Sequence, residues 1–78
     1  MSKQFVKLFN EKRGVVRKQR DAIITVLLNG PATISEVEPK VRLPKTVILW
    51  NLMALIRWGD VSMIAERDGE FVYSLNEA

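Results

Sequence analysis

Residues 30–59, GPATISEVEPKVRLPKTVILWNLMALIRWG, contain a short helix pattern and a longer one with a tight turn between them. Gly30 and Pro31 end the helix before this stretch, because glycine adopts the left-handed conformation and proline cannot continue a helix. Ser35 with Glu38 three residues later predicts a capping box at the start of the shorter helix. The stretch therefore predicts two helices that are joined by a turn and preceded by a third.

The boundaries inside this stretch follow from its prolines. Residues 32–34 are too short to form more than one edge strand. The short helix is expected to hold Pro39 in its first turn, where a missing amide hydrogen does least harm, and to end near Val41. Residues 42–43 make the turn, and a helix over residues 44–58 follows, since proline also suits a helix start.

Two helices are predicted upstream, over residues 2–12 and 15–29, with a stop near Gly14. The first is amphipathic and basic. Its apolar side carries Phe5, Leu8 and Phe9. The chain is thus expected to comprise an N-terminal arm, residues 1–14, and a domain over residues 15–78.

The C-terminal tail is predicted to be a β-hairpin around the Asp-Gly pair at residues 68–69, the strongest short signal for such a turn. A two-residue loop there pairs Ile64 with Tyr73. It also pairs Glu66 with Phe71. The side expected to cover the helices carries Ile64, Phe71, Tyr73 and Leu75.

The order helix, short strand, helix, turn, long helix and hairpin resembles a winged helix-turn-helix domain over residues 20–75. Residues 30–37 (GPATISEV) and 43–48 (LPKTVI) look like the two helix starts in MarR-like and ArsR-like transcriptional regulators, and residues 71–75 (FVYSL) look like the returning wing strand. The resemblance implies an α+β, mainly α fold. Its parts are a three-helix core, a β-hairpin wing and an extra N-terminal amphipathic helix.

The resemblance also implies double-stranded DNA as the partner, since the second helix of such a motif lies in the major groove and the wing reaches the adjoining backbone or minor groove. The implied DNA-facing positions are Lys45, Thr46, Leu49, Trp50, Met53 and Arg57, with Arg67, Asp68 and Gly69 at the wing tip. Other roles stay open. Lys45 and Thr46 could cap the helix, and Arg67 could pair with Glu70 across the hairpin.

The long helix is apolar on two opposite sides. At 100° per residue the core stripe consists of Ile48, Leu52 and Leu55. Trp50 and Met53 lie opposite this stripe, with Leu49 at the border, although base edges require donors and acceptors. The outer side is therefore expected to be covered by the N-terminal arm, by a second copy of the chain or by another protein.

Positive charge is concentrated in the first twenty residues. The chain carries a net charge of +3, while these residues alone carry +6 and the remainder −3. Arg13, Arg17 and Arg20 recur at i, i+4 and i+7, and we call them, together with Lys18, the basic stripe. Such a stripe either follows a phosphate backbone or forms a solvated helix side.

The residue inventory argues against an enzyme. The 78 residues suffice for one domain and include neither cysteine nor histidine, so thiol chemistry, the usual general base and the commonest metal ligand are excluded. No glycine-rich phosphate loop is present, and no cofactor or metal is expected. Without an apolar membrane span or signal-peptide core, the sequence predicts a cytoplasmic protein with no membrane partner.

Two functions remain open. The first is a homodimeric DNA-binding transcriptional regulator. Its nucleic-acid contacts would be Arg13, Arg17, Lys18, Arg20, Lys45, Thr46, Arg57 and Arg67. The second is a protein–protein interaction or dimerisation module that does not read DNA sequence. Its interface would be Phe5, Leu8, Phe9, Leu49, Trp50 and Met53.

Overall fold

Three helices are followed by an antiparallel hairpin in the computed structural model, which describes the backbone of residues 3–76 and the side chains of residues 13–76. The helices are α1 (Lys3–Leu28), α2 (Ile34–Val41) and α3 (Lys45–Arg57), and the strands are β1 (Val61–Arg67) and β2 (Glu70–Leu75). The predicted α+β, mainly α fold with a three-helix core and a hairpin wing is confirmed.

The two predicted N-terminal helices form one continuous helix. α1 passes through Gly14, so the stop expected there is wrong. A glycine inside a helix costs about 1 kcal/mol relative to alanine, whereas each additional helix end leaves four backbone groups without partners. The arm is therefore the N-terminal part of α1, and it does not fold back over α3. Its division from the domain at residue 14 stays a prediction.

α2 starts two residues earlier than predicted. Thr33, not Ser35, is the N-cap: its Oγ1 accepts from the Glu36 amide at 3.2 Å, and its own amide donates to Glu36 Oε1 at 2.9 Å. The predicted box of Ser35 and Glu38 is wrong, because the Ser35 hydroxyl is engaged with the wing. Pro39 consequently lies in the second turn of α2 and not in its first.

The core lies between the three helices and the base of the hairpin. On α3 the predicted stripe of Ile48, Leu52 and Leu55 is confirmed, since each of these side chains is at most 2% exposed. They pack with Ile23 of α1 and Val37 of α2. Burying one such side chain contributes about 1.5–3 kcal/mol, so this cluster orients the helix-turn-helix.

The hairpin turns at Asp68 and Gly69, as predicted. Their φ angles of 54° and 80° are both left-handed, which is the requirement of the two-residue turn that an Asp-Gly pair favours. Glu66 lies opposite Phe71, which is also as predicted.

Further from the turn the predicted register is wrong. Tyr73 lies opposite Met63, because a bulge between Met63 and Ala65 displaces Ile64. A one-residue shift reverses which side of a strand is covered. Ile64 is therefore about half exposed. Phe71 keeps its predicted register and is about half exposed as well, while Tyr73 is buried as expected and Leu75 is partly buried.

The predicted edge strand is reduced to one residue pair. Ala32 exchanges two backbone hydrogen bonds with Tyr73, of 3.0 and 2.8 Å, while Ile34 already belongs to α2. β2 therefore lies between Ala32 and β1, which joins the wing to the start of α2. Burial raises the pKa of Tyr73, and the nearby carboxylate of Glu70 raises it further, so this hydroxyl stays protonated near neutral pH.

Candidate nucleic-acid interface

Basic side chains surround the turn between α2 and α3. Lys40, Arg42 and Lys45 are exposed, and none of them has an ion-pair partner among the described side chains. Arg42 ends α2 in a left-handed conformation, φ 56°, with its amide donating to the Glu38 carbonyl at 2.8 Å. The sequence interpretation missed Lys40 and Arg42, although three basic residues within six positions were a visible signal.

The first turn of α3 has no side-chain cap. Its N-cap is Pro44, whose carbonyl accepts from Val47 and Ile48 at 3.0 and 3.1 Å. Lys45 and Thr46 are exposed and make no capping hydrogen bond, so the capping role considered for them is not found. Uncapped amide groups at a helix start favour anions.

The wing is attached to α2 by two polar contacts. Arg67 forms an ion pair with Glu36, so the predicted pairing with Glu70 is wrong although the two residues lie opposite each other. The Glu70 carboxylate instead accepts from the Ser35 hydroxyl at 2.7 Å. The Thr33 amide, and to a smaller extent the charge of Arg67, holds the pKa of Glu36 below its usual range.

The wing tip is therefore poorly suited to contact phosphate. Glu66 and Asp68 are both exposed there, and the one arginine between them is already engaged with α2. Exposed carboxylates beside a polyanion are repelled. Arg67 would have to leave Glu36 in order to enter a groove.

The outer side of α3 is exposed. Trp50, Met53 and Leu49 are 71%, 53% and 38% exposed, and we call these three residues the outer patch. No described element covers them, and the side chains of Phe5, Leu8 and Phe9 lie outside the described residues. Arg57 is also exposed, in the last turn of α3.

One member of the basic stripe is held by the fold. The Nε of Arg20 donates to Asn51 Oδ1 at 3.1 Å, and its guanidinium carbon lies 4.4 Å from the centre of the Trp58 ring. Arg13, Arg17 and Lys18 are exposed. The stripe is therefore not a uniform solvated surface, because Arg20 links α1 to α3.

Asn51, which the sequence interpretation missed, is the polar centre of this link. It is 5% exposed, and its amide donates to Gln19 Oε1 at 3.2 Å and to the Val47 carbonyl at 3.0 Å. Buried polar groups require such partners. An asparagine inside the apolar stripe of a helix was the available signal, and it called for a polar partner on a neighbouring element.

Three members of the stripe, Arg13, Arg17 and Arg20, also line an open groove of about 560 Å³ between α1 and the end of α3. Lys18 does not line it. The groove was not foreseen, because its opposite wall comes from a part of the chain more than thirty residues away.

Within the described part of the chain, no helix is both long and apolar enough to cross a membrane. The described residues also hold no group of histidine, cysteine, aspartate and glutamate that could bind a metal ion.

Comparison with known proteins shows the fold. No protein-family profile and no curated protein sequence matches the chain. Among solved structures, the Zalpha domain of Carassius auratus PKZ in complex with Z-DNA is 22% identical with a TM-score of 0.72, covering 80% of this chain and 98% of that one. Zalpha domains are winged-helix domains, so the winged helix predicted from the sequence is confirmed.

Two bacterial proteins match a larger share of the chain. ZitR of Lactococcus lactis in its apo form is 16% identical with a TM-score of 0.72, covering 95% of this chain and 58% of that one. The reduced transcriptional regulator YodB of B. subtilis is 18% identical with a TM-score of 0.68, covering 99% of this chain and 76% of that one. Both are MarR-like, in agreement with the resemblance seen in the sequence.

Proposed function

We propose that the chain binds double-stranded DNA and acts as a winged-helix regulator of transcription. One observation carries this proposal: Lys40, Arg42 and Lys45 surround the helix-turn-helix, exposed and without described ion-pair partners. Phosphate contacts from such residues supply most of the affinity of non-specific DNA binding. Structures of the same fold include a domain bound to Z-DNA and a transcriptional regulator.

The remaining contacts extend this surface in two directions. Thr46 adds a hydroxyl at the uncapped start of α3, and Arg57 adds a charge at its end. The basic stripe on α1 adds Arg13, Arg17, Lys18 and the terminal nitrogens of Arg20. Arg67 is the weakest contact in the proposal, because its partner Glu36 must be released first.

Fluorescence anisotropy with a labelled mixed-sequence duplex, and with a ds(CG)6 duplex, tests the proposal. We expect affinity to fall steeply with salt, and the salt slope to decrease by about one for Lys45→Gln. Arg42→Asn should decrease the salt slope by a similar amount. Asparagine is chosen because it tolerates the left-handed conformation at this position. Lys18→Gln measures the contribution of α1 to DNA affinity and to its salt dependence.

Asp68→Asn is a control that should change DNA affinity in the opposite direction. Asparagine followed by glycine keeps the hairpin turn, and removal of an acidic charge from the wing tip should strengthen binding. If neither duplex binds at low salt, or if the basic-residue variants bind like the parent, the DNA-binding proposal is wrong.

A second candidate is a dimerisation or protein-interaction module, and the exposure of the outer patch favours it. An exposed tryptophan with two apolar neighbours is typical of an interface hot spot. If a second copy covers this patch, the outer side of α3 cannot read bases. DNA contact is then restricted to phosphates around the turn and on α1.

Sedimentation velocity tests the second candidate. Trp50→Ala and Met53→Glu should shift a dimer to a monomer while far-UV circular dichroism stays unchanged. Val15→Ala is the matched control, because this residue is also 53% exposed but lies on α1. A parent chain that sediments as a monomer at high concentration contradicts the dimer. Unchanged sedimentation of both variants contradicts the role of the outer patch.

A further inference from the structure

The outer patch lies between two positive charges on the exposed side of α3. Residues spaced by four positions form one row along this side of the helix: Lys45, Leu49, Met53 and Arg57. All four are exposed, and α3 contains no acidic residue. At ~1.5 Å per residue the two cations are about 18 Å apart along the helix axis. The row is therefore apolar in the middle and positive at both ends.

This charge pattern favours duplex DNA over a second copy of the chain. The major groove of B-form DNA is about 12 Å wide. A helix that lies in it can contact the bordering phosphates through its terminal cations, while its middle faces the base edges. A two-fold contact between identical patches would instead bring Lys45 and Arg57 of both copies around one apolar surface. Like charges without acidic partners on α3 oppose that contact.

The outer patch offers little hydrogen-bonding capacity to a base. Leu49 has no polar side-chain atom, Met53 has a weak sulfur acceptor, and Trp50 has a single donor, its indole N–H. The neighbouring Asn51 is buried, with its amide already bonded inside the domain. One donor cannot match guanine, which presents two acceptors, or cytosine, which presents a donor. Thymine presents one acceptor, O4, beside a C5-methyl group, so it fits an apolar surface with one donor.

We infer that the outer patch reads the C5-methyl groups of thymine in the major groove of B-form DNA. Leu49 and Met53 pack on the methyl groups, and the indole N–H of Trp50 donates to thymine O4. From Leu49 to Met53 the helix rises about 6 Å, which corresponds to about two base-pair steps. The inference rests on the proposed DNA binding and adds to it a preference for A·T over G·C pairs.

Anisotropy titrations with two duplexes that differ only in this methyl group test the inference. One duplex has a mixed A·T sequence, and in the other every thymine is replaced by deoxyuridine, which keeps O4 and the base pairing. Contact with one buried methyl group corresponds to about a fourfold gain in affinity. We therefore expect the deoxyuridine duplex to bind at least about threefold more weakly to the parent chain. A smaller difference overturns the inference.

A double variant assigns the discrimination to the patch. Trp50→Ala combined with Met53→Ala removes most of the exposed apolar surface, so the affinity ratio between the two duplexes should fall below about twofold. Lys45→Gln is the matched control on the same side of α3. It removes a phosphate contact and should weaken both duplexes equally, which leaves the ratio unchanged. Because the ratio is taken within one variant, a general loss of affinity does not alter it.

A second pair of duplexes distinguishes thymine from 5-methylcytosine. The latter carries the same methyl group but has an amino donor where thymine has O4. Methylation of every cytosine in a G·C duplex should therefore strengthen binding less than the thymine methyl group does. An equal gain would reject the assignment to thymine and point to any C5-methylated pyrimidine.

The outcomes separate this inference from the proposed function. Equal, salt-dependent binding of the thymine and deoxyuridine duplexes would overturn the methyl reading and leave DNA binding in place. Absence of binding to every duplex would overturn both. If the double variant converts a dimer to a monomer and keeps the parent's affinity ratio, a second copy covers the outer patch and the inference is wrong.

Discussion

The inner and outer sides of α3 are both apolar, but only one of them is buried. Ile48 and Leu52 on the inner side are fully buried, whereas Trp50 and Met53 on the outer side are 71% and 53% exposed. The difference shows that apolar composition does not by itself determine burial. The inner side stabilises the domain, and the outer side is available to a partner.

The largest difference in stability between the two sides of α3 is expected between Leu52→Ala and Met53→Ala. Removing the buried leucine side chain leaves a cavity, and unfolding in urea should lose about 2–5 kcal/mol. Its exposed neighbour should change stability by less than about 0.5 kcal/mol. If Met53→Ala destabilises the isolated chain as much as Leu52→Ala, the outer patch is covered in solution and the comparison fails.

A smaller effect is expected at the polar centre of the inner side. Asn51→Ala leaves the partners of a buried amide unsatisfied, so stability should fall by about 1–3 kcal/mol. The adjacent Trp50→Ala should be nearly neutral in a monomer, although it removes a much larger side chain. Urea unfolding of both variants measures the difference. If Trp50→Ala loses more stability than Asn51→Ala, the contrast between the exposed and the buried side of α3 is contradicted.

The start of α2 repeats the contrast between a buried and an exposed neighbour. Thr33 is 4% exposed and caps the helix, whereas Ser35 is exposed and contacts the wing. Thr33→Ala should cost about 1 kcal/mol, as the loss of an N-cap usually does. Ser35→Ala should cost less. The reverse order in urea unfolding would show that the contact between α2 and the wing matters more than the cap.

The smallest effect concerns pH. The folded-state pKa of Glu36 is lowered, chiefly by the Thr33 amide, so its stabilising contribution is present above the unfolded value of about 4.3. It is lost as pH falls through the folded-state pKa. Glu36→Gln should therefore lose less stability than the parent between pH 5 and pH 3.

The direct measurement is an NMR titration of the Glu36 carboxyl group. Its midpoint should lie below that of an ordinary glutamate. A midpoint at or above the ordinary value would contradict the role of the Thr33 amide.

Local patterns predicted much of this fold. The Asp-Gly turn at residues 68–69 requires two left-handed residues and has them. The spacing of apolar residues identified the buried side of α3 and placed Trp50 opposite to it. For the candidate interface, Lys45, Thr46 and Arg57 were identified and are exposed. Each of these inferences depends on neighbours within about one turn.

Three of the inferences that failed involve partners or strand pairing that local patterns do not specify. Ser35 was expected to cap α2, but it contacts Glu70 of the wing. Arg67 was expected to pair across the hairpin, but it reaches Glu36. The bulge that displaces Ile64 changes the strand register, which a local alternation pattern cannot reveal.

The sequence by itself determined the order of the elements, the turns and the inner side of α3, because turn geometry and helical periodicity act over a few residues. The tertiary structure alone decided that Arg20 is held by Asn51 and Trp58, and that the basic stripe borders a groove. These contacts join α1 to residues more than thirty positions away. Only the packing of the helices brings such groups together, so no local pattern specifies which of them will meet.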